Sequence, residues 1–166
     1  MAFTKEELIG SLQNEIRILV HLCGKVTPEA VDYRPTPKQR STIELLRYLT
    51  VMGPILVPAC QTGVFDGAAW EAKMNAANAM DFDAVVKSLE SQSAFYAESI
   101  GAMNDADFAK QVELFGRTGS TGSLLVNMVL SGHAAYRTQL FLYLKSAGRD
   151  ELNTMNLWAG IDAPMG

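Results

Sequence analysis

Gly132-His133-Ala134-Ala135-Tyr136-Arg137-Thr138-Gln139-Leu140 lies in the middle of the longest helical pattern in the chain, Ser123 to Lys145. At about 100° per residue, Leu125, Met128, Val129, Gly132, Tyr136, Leu140 and Tyr143 share one stripe, the signature of a helix face turned to a core. Gln139 lies at the edge of that stripe. Asn127, Ser131, Thr138 and Lys145 fall on the opposite, wetted side. His133 and Arg137 are i, i+4 neighbours on a flank with Val126, Leu130 and Leu144. Leu124, Ala135 and Leu142 make a second apolar flank, so this helix needs two coverings, such as bundle partners and another subunit.

Working outward, the chain has 166 residues, 48% of them apolar and 19% charged. That size fits one domain over residues 1–166, with a core that needs no disulfide or metal staple. The net charge of -4 and the lack of a basic cluster argue against nucleic acid as a partner. Cys23 and Cys60 have no metal or redox spacing, no signal peptide is seen, and reduced thiols in a cytoplasm are expected. No apolar run approaches the roughly 20 residues of a membrane span, so no membrane partner is expected.

Thr4-Lys5-Glu6-Glu7 forms a capping box that opens the first helix. Its apolar stripe runs through Leu8, Ile9, Leu12, Ile16, Leu19, Val20 and Cys23 to Gly24, with His21 on the opposite, solvated side. A proline-punctuated connector, 25–40, follows. Ser41 and Glu44 make a second capping box. Leu45, Tyr48, Leu49, Met52 and Leu56 line the inner face of that helix, and Gly53-Pro54 with Pro58 predict a kink or an early stop. Ala68 to Met80 reads as a short helix anchored by Trp70 and Met74. A long helix capped by Asp81 or Asp83 carries Val85, Leu89, Tyr96 and Ile100. Residues 104–122 read as a turn, an extended piece at Gln111 to Phe115 and a polar loop. The Leu157-Trp158 pair is expected to dock on the body. Four long amphipathic helices, with a long crossover after the second, predict an all-α four-helix bundle.

The order and spacing of Val26-Thr27-Pro28-Glu29, Tyr33-Arg34-Pro35, Ser41 through Leu49, Tyr136 through Leu140 and Tyr143 through Gly148 resemble the DinB/YfiT-like superfamily over nearly the whole chain. The resemblance implies a four-helix bundle, often a homodimer. Many members bind a divalent metal, zinc or nickel, through three histidines, and some are thiol-dependent transferases, isomerases or hydrolase-like enzymes. Carried over onto this sequence, the histidine of the second helix falls at Tyr48. Anchoring on Arg137-Thr138-Gln139 puts the two of the last helix at Gly132 and Tyr136, and a register one residue later puts them at His133 and Arg137. Neither register supplies three donors, since a guanidinium cannot deprotonate and a phenol's ordinary pKa is about 10. No metal cofactor is therefore expected.

What remains is a polar group between the second and last helices: Tyr48, Tyr136, Gln139 and Tyr143 as binding residues, His133 and Arg137 as candidate catalytic ones. One reading is a satisfied network in which Arg137 pairs with a carboxylate such as Glu44. The other is a cleft for a small anionic or aromatic molecule, Arg137 gripping a carboxylate and His133 moving a proton. The function expected is thus non-metal binding or interaction, the alternative being a thiol-dependent transferase-like enzyme. Gly132 is read as a place of close helix packing. Cys60 is read as a small buried hydrophobe rather than a nucleophile.

Overall fold

The computed structural model describes residues 3–164. Both capping boxes form as their sequences predict. Thr4 and Ser41 accept from the amides of Glu7 and Glu44, whose carboxylates reach back to the cap amides. They start α1 (Lys5–Cys23) and α2 (Thr42–Thr62). Then come α3 (Gly67–Asn78), capped by Asp66, and α4 (Phe82–Gly101), capped by Asp81 rather than Asp83. A short α5 (Asp105–Ala109) leads into the antiparallel hairpin β1 (Gln111–Leu114) and β2 (Arg117–Ser120). The last long helix is α6 (Thr121–Leu124), a π-helical stretch Leu125–Leu130, and α7 (Ser131–Ser146).

Four long helices form the bundle in the ring order α1, α4, α2, α7, with α3 packed on the outside of α2. The core has two tiers. One gathers Leu19, Leu22, Leu45, Leu49, Leu89, Leu140 and Leu144. The other gathers Leu12, Ile16, Val57, Tyr96, Ile100, Val112 and Leu125. The expected all-α bundle with its long crossover is what the chain forms, the hairpin being a small addition.

The second helix neither stops nor breaks at its prolines; α2 is helical from Thr42 through Thr62. Each internal proline costs on the order of 3 kcal/mol. Against this, α2 buries Ile43, Leu45, Leu46, Leu49, Val51, Met52, Ile55 and Val57, each worth about 1.5–3 kcal/mol. Burial wins. It also accounts for the composition of α2, which is long and apolar enough to cross a membrane although 67% of its most apolar window is buried inside the bundle.

Three other expectations are corrected. Residues 117–120 are a strand, because Phe115 and Gly116 both take positive φ (52° and 73°) and make a tight turn whose twist suits a hairpin. His21 is not solvated: the C-terminal segment crosses α1, and Asn156 Nδ2 lies 3.2 Å from its Nε2. The same segment covers Ile18, which the simple stripe leaves outside. Trp158 does not dock into the body but stays 67% exposed.

Gly53 shows how tightly α2 meets α4. A Cβ there would lie 1.9 Å from Tyr96 Oη. Gly53→Ala should therefore destabilise the fold by about 2 kcal/mol or more, despite alanine's better helix propensity. Urea denaturation of the two proteins checks this.

Candidate functional site

The wide turns of the π-helical stretch take up one extra residue before α7 begins, so the single stripe extrapolated through it does not hold. Leu125, Val129, His133 and Arg137 become the buried ridge, while Gly132 and Tyr136 are half-buried. The polar side chains of α7 then turn to different neighbours, Tyr136 to α2, His133 to α4, Arg137 to α1 and Tyr143 to the connector, and the six predicted site residues do not share one cleft.

Tyr48 and Tyr136 meet between α2 and α7, edge to face, with ring centroids 5.0 Å apart. Trp70 packs on Tyr48 at 5.7 Å and Arg40 lies over its ring at 4.1 Å. Gly132 faces Met52, whose sulfur would lie 2.9 Å from an added Cβ. The three positions at which the resemblance places the family's ligands thus converge in space, and close packing at Gly132 is as expected. Their chemistry does not suit a metal. Burial first, and then the neighbouring Tyr136, raise the Tyr48 phenol well above its ordinary range, the opposite of what a phenolate ligand needs. Among the described residues no group of three or more histidine, cysteine or acidic side chains could hold an ion.

Tyr143 and Gln139 form a second group. Gln139 Nε2 donates to Tyr143 Oη at 2.6 Å, and that hydroxyl donates to Arg40 O at 3.0 Å. Tyr33 packs edge-on against the Tyr143 ring, so this pair closes the connector over the bundle end.

His133 turns to α4. Its Nε2 lies 2.6 Å from Tyr96 Oη, which lies 3.0 Å from Gln92 Oε1; Gln92 Nε2 donates to Leu49 O at 2.8 Å. One directed chain satisfies every link: His133 Nε2–H to Tyr96, Tyr96 O–H to Gln92, Gln92 N–H to the α2 backbone. Nδ1 is then a bare acceptor, and it is the buried side-chain atom that has no partner among the described residues. Tyr96 reads from its spacing as an apolar core residue and Gln92 as a surface one, so the sequence does not mark either as a polar partner of His133.

Arg137 turns to α1, not to Glu44. It forks onto Glu15, Nε at 2.7 Å and Nη2 at 3.2 Å from the carboxylate, and Nη1 donates to Leu157 O. Glu44 pairs instead with Arg34 at 3.0 Å. The Arg137 side chain is 4% exposed and that of Glu15 12%. Trp158 stands over the guanidinium, its ring centroid 5.4 Å from Cζ. Beside them α1 and α7 leave a recess of about 410 Å³, walled by Trp158 and including Asn14, Ser131 and Thr138.

Burial lowers the His133 pKa from 6.5 to about 4 and pushes the Cys23 and Cys60 thiols up to about 12. Cys60 is a buried hydrophobe, as read from sequence. Neither thiol should react with a chromogenic disulfide at pH 8 until the protein unfolds. The unfolded state binds the His133 proton more readily, so this residue's stability term is intact above pH 6.5. It is lost as pH falls towards 4, by about 3 kcal/mol at most. His133→Gln, which keeps a donor for Tyr96, should flatten that part of the melting-temperature profile relative to wild type.

No protein-family model and no curated protein sequence matches the chain. Among solved structures, a crystal structure of a DinB-like protein from Bacillus subtilis, YjoA, superposes with a TM-score of 0.66 at 12% identity. The match covers 89% of this chain and 96% of that one. This superposition shows that the chain has the fold of that DinB-like protein.

Proposed function

We propose that this is a DinB-like binding protein that works without a metal and holds a small aromatic molecule in the recess between α1 and α7. One observation carries the reading: Trp158 is 67% exposed at the wall of that recess although the backbone on either side of it is pinned. Leu157 O accepts from Arg137, Ala159 O from Arg17 Nη2 at 2.9 Å, and Gly160 O from Arg17 Nη1 at 3.4 Å. An indole left in water gives up its burial free energy, and one held there on a fixed backbone is preorganised for stacking. The cleft between α2 and α7 is the weaker site, since Tyr48, Tyr136 and Met52 occupy it themselves. A transfer reaction in the recess lacks an imidazole, because His133 points to Tyr96 instead.

In Trp70→Phe protein, Trp158 is the remaining tryptophan. Its emission should respond saturably to phenol or to benzoate, and Trp158→Ala should abolish binding followed by calorimetry. Zinc and nickel should not bind stoichiometrically, and Tyr48→Ala and Tyr136→Ala should leave that unchanged. Strictly linear quenching by every small aromatic probe, phenol and benzoate included, or one equivalent of metal per chain, overturns the reading.

A further inference from the structure

The floor of the recess narrows the ligand class, on the premise that the recess binds small aromatic molecules. We infer that it selects an uncharged planar lactam heterocycle, one with an N–H beside a ring carbonyl, stacked on Trp158 and read at its edge by the Arg137–Glu15 pair.

Charge comes first. Arg137 and Glu15 are nearly shut off from solvent and each neutralises the other. A carboxylate ligand would add a second negative charge next to Glu15, and a cation a second positive one next to Arg137. Unpaired charge in such surroundings is costly. Arg137 is therefore no carboxylate grip, and an uncharged ligand fits best.

Hydrogen-bond capacity comes second. A guanidinium has five N–H donors. Nε and one N–H of Nη2 serve Glu15, and one N–H of Nη1 serves Leu157 O. One donor is left on each terminal nitrogen. The Glu15 carboxylate has about four acceptor positions, of which Arg137 uses two. Unspent donors thus stand beside unspent acceptors, complementary to a ligand edge carrying an acceptor next to a donor. A lactam has that edge and stays neutral.

The walls agree. Ser131 and Thr138 spend their hydroxyl protons on Val126 O and Ala134 O, both at 2.9 Å, and so present acceptors to the recess. The ring's apolar faces are left to Trp158. A recess of about 410 Å³ holds a one- or two-ring molecule.

Calorimetry with hypoxanthine, 1-methylhypoxanthine, phenol and benzoate tests this. Hypoxanthine should bind at least tenfold more tightly than its 1-methyl derivative, which lacks the N–H beside the carbonyl, and more tightly than benzoate. Glu15→Gln, checked for an unchanged circular dichroism spectrum, should bring the two purines to within threefold of each other. If phenol or benzoate binds through Trp158 while hypoxanthine does not, or the methyl group makes no difference, the lactam assignment falls and the recess remains a binding site. If none of the four binds, both readings fall. The methylated probe decides the matter even where Glu15→Gln fails to fold.

Discussion

A phenol oxygen occupies the space where any residue but glycine at position 53 would put its first side-chain carbon. That contact sets how closely α2 and α4 approach. The chain from His133 through Tyr96 and Gln92 to Leu49 O then draws α7 into the same layer. Three of the four bundle helices are thus held by one run of hydrogen bonds, in a tier otherwise made of apolar side chains. Directed bonds in such surroundings cost much when left unmade and little when complete, so the chain favours one packing over its near neighbours. The unmet Nδ1 of His133 is where it ends.

The fourth helix is held differently. α1 meets α7 through the Arg137–Glu15 fork, and the C-terminal segment lies over the outside of α1 on polar contacts: Arg17 to two carbonyls, Asn156 beside His21, and Lys25 to Asp162 at 2.5 Å. Arg137 belongs to both systems, since it also holds Leu157 O. The recess beside Trp158 is therefore framed by the bundle and the segment together. Apolar packing sets the body of the protein, and guanidinium–carbonyl bonds set the position of the one aromatic side chain it offers to solvent there.

What could be read from the residues alone was whatever is local. Thr4 with Glu7 and Ser41 with Glu44 are complete within four positions, and both boxes form. The apolar spacing of α1 and α4 is regular, and their buried faces follow it. Arg137 and Glu15 are 122 positions apart, and nothing near either names the other. Tyr96 and Gln92 look like core and surface residues until Gly53 is seen to leave room for the phenol. The hairpin stayed hidden because its turn puts a phenylalanine at positive φ, a choice the usual turn residues do not suggest. The candidate residues are buried or half-buried polar groups. Their assembly into one cleft failed because α7 touches three neighbours and shares its side chains among them.

The π-helical stretch explains that failure, and it bears on how relatives of this chain can be traced. Its wide turns absorb one residue without a loop, a proline or any other visible mark. Aligned without a gap against a regular helix, this one can be in phase on only one side of Leu125–Leu130. Lineages that gained or lost that residue would keep the same bundle while the columns of their alignments slid apart. Shape then preserves kinship longer than spelling does.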